Sequence, residues 1–275
     1  MQCGHVVYAT RTSDGGQVCI KRVVTGSSES RIVRMLSAPP LRDDPANHAV
    51  PILDVFQDED NGYITYLVMP LLRHIDDPPF EVVGDVVDFI DQLLEGLASL
   101  HKHGVAHRDC SYANLMMDGS ACYRRTYYFI DFGLSVHVEN RHCRVLVLGN
   151  EGHDRDPPEL RTGNRIPYDP YKLDVFLIGN VFRRLLLDRY LGLASLVSLA
   201  DAMTRNDPGE RPSAVEALDL WRHIRSRTAT ASRRRRLQMR GSHMQRAALK
   251  LSLFVCFVLL CVRIQTRGTV GVADG

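Results

Sequence analysis

Eight consecutive residues, His107-Arg108-Asp109-Cys110-Ser111-Tyr112-Ala113-Asn114, hold a carboxylate and a carboxamide in one short polar stretch. A second carboxylate, Asp131, follows in Tyr128-Phe129-Ile130-Asp131-Phe132-Gly133. Carboxylate and amide oxygens are the donors that a hard, hydrated divalent cation such as Mg2+ takes, and a carboxylate is also a proton acceptor. Upstream, Lys21 ends Val18-Cys19-Ile20-Lys21, and Glu29 opens Glu29-Ser30-Arg31-Ile32-Val33. The competing reading is plain: Asp and Asn cap turns, and a strand lysine is only solvated.

The elements that must position these residues are readable from periodicity. Val6 to Val24 predicts a β-hairpin, because VVYA and QVCIKRVV are β-branched runs around the turn residues Ser13-Asp14-Gly15-Gly16. Ser27-Ser28 is a helix cap, and Ile32, Val33 and Leu36 follow at helical spacing until Pro39-Pro40 stops the run. VPILDVF and YITYLVM, within residues 50 to 69, predict two more strands around an acidic turn. From Asp85 to His103, Val86, Ile90, Leu93, Leu94, Leu97 and Leu100 fall on one helical face, and Gly104 ends it. Further helices are predicted over about 174–189, 193–204 and 213–222. A sheet-rich part thus precedes a helix-rich part.

In this setting HRDxxxxN followed by DFG resembles the protein kinases, whose catalytic loop and magnesium loop carry those patterns. The resemblance covers about residues 4 to 221. It implies an α+β fold of two lobes, a small β-rich lobe over about 1–70 and a larger helical lobe over about 71–221. It implies an ATP-dependent protein kinase that uses Mg2+, with serine or threonine preferred to tyrosine as acceptor. Asp109 would accept the hydroxyl proton, Asn114 and Asp131 would hold the metal, and Arg108 would belong to the catalytic set. Val18-Cys19-Ile20-Lys21 is similar to the strand motif VAIK, so Lys21 would meet the α- and β-phosphates, with Glu29 as its helix partner. Gly133 would let the backbone turn where a side chain would clash. Met69-Pro70-Leu71-Leu72 would be gatekeeper and hinge, with the Pro70 carbonyl and the Leu72 N–H offered to adenine; proline removes only its own N–H. Asp156-Pro157-Pro158-Glu159 is similar to APE, Arg211 to the arginine that pairs with its glutamate, and Asp174 to the aspartate that holds the catalytic-loop backbone.

The likeness has gaps. Of the Gly-rich loop only Gly4 matches, two positions before Val6, and the family's first strand would lie before Met1. Eight positions separate Lys21 from Glu29, a short interval for the family. Ser111 stands where serine/threonine kinases carry lysine. From Gly133 to Pro158 the only hydroxyl side chain is Ser135, so Arg108 has no evident phosphorylated partner. Between Asp174 and Arg211 there is room for two helices rather than three. Two other functions compete: a pseudokinase acting as a binding or scaffold module, which the missing glycines favour, and a small-molecule phosphotransferase of the aminoglycoside or choline kinase type. Against them stand Lys21, Asp109, Asn114 and Asp131 together, and Arg108, Phe132-Gly133 and the Glu159/Arg211 pair.

Composition excludes disorder or a collagenous repeat as the main state: 45% of the 275 residues are apolar and 24% charged. Seven cysteines without a CxxC pair predict a reducing, intracellular setting on the cytoplasmic side. Beyond Trp221 there are 12 basic residues and one acidic residue, against 22 and 31 before it. Residues 222–246 hold nine arginines among Ser, Thr and Ala, which predicts an unfolded basic linker able to contact anionic lipid or nucleic acid. Residues 247–263 include LSLFVCFVLLCV, apolar all round, and predict a short tail anchor with the basic flank on the cytoplasmic face; 264–275 form a short tail.

Overall fold

The β-branched runs around Ser13–Gly16 pair as an antiparallel hairpin of β1 (Val6–Thr10) and β2 (Gln17–Val24), with Val6 opposite Lys21. This is the first element of a computed structural model that describes residues 6–118, 125–139, 145–161, 166–227 and 230–241. Helix α1 (Ser28–Leu36) starts where predicted: the Ser27 side chain accepts the Ser30 N–H at 3.2 Å, and Ile32, Val33 and Leu36 are buried. β3 (Asp54–Gln57) and β4 (Ile64–Pro70) complete an antiparallel sheet of order β1-β2-β4-β3. The strand predicted from Val50 is shorter than its apolar run, because residues 48–50 pair elsewhere. The Val50 N–H bonds the Phe129 carbonyl at 2.9 Å and the Phe129 N–H bonds the His48 carbonyl at 2.7 Å. That exchange ties the small sheet to the helical half.

After β5 (Arg73–His74), α2 (Val83–Lys102) begins two residues before the predicted start, with the Asp85 carboxylate accepting the N–H groups of Glu81 and Val82. Its predicted apolar face is buried throughout. It ends at Gly104, at φ +74°, where a Cβ would lie 2.2 Å from the Val138 carbonyl oxygen. Short strands β6 (Val105–Ala106), β7 (Leu115–Asp118), β8 (Thr126–Phe129) and β9 (Val136–His137) then form two small antiparallel sheets, β5-β7-β8 and β6-β9. They hold the chemistry-bearing loops between them. Past α3 (Pro158–Arg161), the almost wholly buried α4 (Pro170–Val181) starts from the Asp169 cap, and the predicted helix continues as a π-helical run over Phe182–Leu187. β10 (Tyr190–Leu191), α5 (Val197–Met203) and α6 (Ala214–Ser226) follow, the last opened by a reciprocal Ser213–Glu216 capping box. Two α-helices lie between the start of α4 and Arg211, as the spacing predicted.

The prediction of an unfolded linker from residue 222 needs correction over the described part. α6 runs on to Ser226, and residues 230–241 form a strap along α2. The Val83 N–H bonds the Arg235 carbonyl at 3.0 Å, the Leu237 N–H bonds the Glu81 carbonyl at 2.8 Å, and β11 (Gln238–Met239) pairs with β10. Arg233 pairs with Asp88, and Leu237 and Met239 pack on the core. Composition read this segment as solvated because its contacts are to backbone groups and an acidic helix face, neither of which leaves a periodic pattern. Among the described residues no helix is long and apolar enough to cross a membrane. The predicted anchor at 247–263 and Gly4 lie outside the described residues.

Candidate active site

Alternation along β2 turns Cys19 and Lys21 into the cleft between the lobes. Lys21 Nζ lies 2.5 Å from Glu29 Oε1 on α1 and 2.9 Å from Asp131 Oδ1 on the far side. The short interval between Lys21 and Glu29 is therefore no obstacle: the tight connection delivers α1 with its first turn beside β2. Burial alone would lower the Lys21 pKa, but Glu29 and then Asp131 outweigh it and hold the ammonium above its ordinary value. Asp131 mirrors this: burial would raise its pKa, and Lys21 carries it below the usual carboxylate value. Both groups are thus held in their charged forms.

Asp131 sits at φ +59°, caps the turn Phe132–Leu134 and accepts the Gly133 N–H at 3.2 Å. A Cβ at Gly133 would come 3.0 Å from Asp131 Oδ1, so glycine is there for close approach. Phe132 is fully buried with its ring 4.8 Å from that of His107. His107 in turn bonds the Ile130 carbonyl through Nε2 at 2.9 Å, joining the two loops.

The catalytic-loop backbone hangs on Asp174, which is fully buried in α4. Its carboxylate accepts the N–H of His107 at 2.7 Å and of Arg108 at 2.6 Å, with His101 Nε2 at 3.0 Å. Asp109 is 5% exposed. Asn114 Nδ2 donates to Asp109 Oδ2 at 2.7 Å and to the Asp109 carbonyl at 3.0 Å, while the Ile130 N–H bonds the Asn114 carbonyl at 3.0 Å. With its NH2 turned to Asp109, Asn114 keeps its amide oxygen for another partner next to the strand that leads into Asp131. Amide oxygen plus ionised carboxylate is a donor set that fits a hard cation such as Mg2+.

Val6, Met69, Pro70 and Leu72 line a cavity of about 290 Å3 with Lys21, Glu29 and Asp131. Val50, Leu67 and Met116 add apolar wall to it. Arg108 is held by backbone carbonyls and a tyrosine hydroxyl. It donates to the Leu134 and Leu148 carbonyls at 3.1 and 3.0 Å and to the Tyr168 hydroxyl at 3.0 Å, and Ser135 is buried with its hydroxyl on the His107 carbonyl. Arg211 grips Glu159 with two bonds, 2.5 and 2.8 Å, its side chain fully buried, as the motif pair predicted. Sequence reasoning missed His153, whose backbone N–H and ring both reach Asp109. Its signal was Gly152 directly before it, at φ +118° and pressed against the carboxylate.

Comparison with known proteins agrees with this geometry. The sequence model described as "Protein kinase domain" matches residues 2–191. The chain is 27% identical over 211 residues to the mitogen-activated protein kinase sma-5 of Caenorhabditis elegans, covering 67% of this chain and 38% of the relative. It is 29% identical over 182 residues to a Dictyostelium discoideum protein named "Probable serine/threonine-protein kinase", covering 65% and 28%. It is 30% identical over 106 residues to the serine/threonine-protein kinase PTK2 of Candida glabrata, covering 33% and 13%. The chain thus spans between 13% and 38% of the length of these relatives. With the domain match over most of its length, the Lys21 bridge from Glu29 to Asp131 and the Asp109–Asn114 pair, this chain belongs to the protein kinase domain family.

Proposed function

We propose that this chain is an ATP-dependent protein kinase that transfers the γ-phosphate of ATP to a serine or threonine hydroxyl of a protein. The observation that carries the reading is the lysine shared between Glu29 and Asp131 across the cleft, together with the Asp109–Asn114 pair. Phosphoryl transfer asks little covalent work of a protein and much positioning of charge. Lys21, aimed by Glu29, meets the α- and β-phosphates, and adenine lies among Val6, Met69, Pro70 and Leu72. Asp131 and the Asn114 amide oxygen would hold Mg2+, which supplies neutralisation of the phosphate charge. Asp109 Oδ2 takes the acceptor proton as the acceptor oxygen bonds the γ-phosphorus; the bond to the β,γ-bridging oxygen breaks and its electron pair leaves with ADP. The names of the relatives support serine or threonine.

The test is γ-phosphate transfer by the full chain to itself and to generic protein substrates. Asp131→Ala is expected to lose Mg2+-dependent ATP use. Asp109→Asn is expected to lose roughly 10²–10⁴-fold in transfer while nucleotide binding, read by fluorescent-nucleotide titration, stays within a few-fold. Wild-type turnover in Asp109→Asn would show that this carboxylate is not the base. A folded wild type that binds ATP and transfers nothing would leave the scaffold reading instead.

A further inference from the structure

We infer that His153 is a positioning residue that occupies the acceptor's seat on Asp109, so that a substrate hydroxyl must displace its imidazole before transfer. The inference rests on the reading of Asp109 as the proton acceptor. A carboxylate offers about four lone-pair sites. At Asp109 three are taken: Oδ1 accepts the His153 backbone N–H at 2.9 Å, and Oδ2 accepts from Asn114 Nδ2 and from His153 Nδ1, each at 2.7 Å. Only one site remains on a group that is 5% exposed. In this arrangement Asp109 accepts and Nδ1 carries the ring hydrogen.

The three donors are not equally removable. The Asn114 amide is buried and anchors Asp109 twice, and the His153 N–H is part of the backbone. The His153 side chain is 53% exposed, against 8% for that of Asp109, and can swing away without disturbing the other two bonds. Its arrival depends on Gly152: at φ +118° the backbone lies so close that a Cβ would be 3.2 Å from Asp109 Oδ1. Glycine thereby sets both the amide and the ring of the next residue onto one carboxylate.

Beside the ring lies a cavity of about 310 Å3 lined by Ser111, Ala113, Asp154 and Leu185 as well as His153. Ser111 is 6% exposed, and among the described residues its hydroxyl has no hydrogen-bond partner. That hydroxyl is enclosed, a group that an entering polar group satisfies only once its cover moves. Displacing the ring therefore frees Oδ2 next to the cavity that the ring itself lines.

The experiment uses the full chain in two arms. In the first, ring nitrogen chemical shifts of 15N-labelled histidine, assigned by the signal lost in His153→Ala, report where the ring hydrogen sits. A hydrogen-bonded Nδ1–H is expected in the wild type, reverting to the ordinary Nε2–H tautomer in Asp109→Ala. A predominant Nε2–H in the wild type overturns the inference. In the second, His153→Ala is expected to lower KM for the protein acceptor about 3- to 30-fold, the span of one removed competing hydrogen bond, with kcat not reduced. His153→Gln, which keeps a side-chain donor, should hold KM near the wild-type value. A fall in kcat at unchanged KM would mean that His153 supports the base rather than competes for it, and would overturn the inference. A wild type with the Nδ1–H signature but no transfer would support the contact and sink the kinase reading.

Discussion

The segment His107–Asn114 and the β1 edge of the sheet are held by different means. The loop hangs from a fully buried carboxylate, Asp174, through two backbone N–H groups and a histidine, and is tied again through His107 to Ile130 and through Asn114 to Asp109. Each of these bonds is short and most are shielded from water, where an unmade bond is costly. β1 has its ladder to β2 and little behind it: Val6, Val7 and Tyr8 are 46%, 63% and 72% exposed. The segment proposed to place the proton acceptor is over-determined, and the edge proposed to cover a nucleotide is left adjustable.

The comparison can be broken most severely at Asp174. Asp174→Ala leaves two backbone donors and His101 without their acceptor, and the expected loss is about 3–5 kcal/mol of stability, read as a lower urea midpoint, together with loss of transfer. An unchanged midpoint would mean that the loop does not depend on this anchor. Asp174→Asn, which keeps one acceptor oxygen, should recover part of the loss.

An intermediate effect is expected behind the loop, on β8. Burial first, against a smaller lowering by Arg125, pushes the Tyr127 phenol up to about 12. Its ordinary value is about 10, so its contribution to stability is complete below about pH 10 and is lost as pH rises toward about 12, at no more than about 1.4 kcal/mol per pH unit. Tyr127→Phe should flatten that part of the alkaline stability curve, leaving the slope from Tyr112, which burial and Asp76 also raise to about 12. An identical slope in the variant would remove Tyr127 from the account.

The smallest effect is expected on β1. Tyr8→Ala should change stability by less than about 0.5 kcal/mol, because the ring is exposed, while weakening nucleotide binding through the cavity wall it forms. A stability loss as large as that of Asp174→Ala would dissolve the contrast between the two sides.

Much of the fold was legible because its signals are local. The β1–β2 hairpin needed only β-branched runs and the Ser13–Gly16 turn, and α2 needed only one apolar face and a glycine stop. Boundaries moved where tertiary pairing took over, as at residues 48–50, which bond Phe129 instead of lengthening β3. The strap at 230–241 was read as solvated because arginine-rich composition says nothing of the acidic helix face and free carbonyls that it meets. At the site, Lys21, Glu29, Asp109, Asn114 and Asp131 were legible as types in order along the chain, and the cleft brings the first two to Asp131. Arg108 was legible as a residue but not as a strut between Leu134, Leu148 and Tyr168.

What the sequence by itself determined is the inventory: an α+β chain with one lysine, one glutamate, two aspartates and an asparagine at intervals that suit phosphoryl transfer. Those intervals are short-range facts, set by turn and strand chemistry within a few residues of each group. What only the tertiary structure decided is the state of the carboxylates. Asp131 is held charged by a lysine 110 positions away, and Asp109 is closed by a histidine 44 positions away. Electrostatic and hydrogen-bond energies depend on distance and burial, and neither is written in the local order of residues.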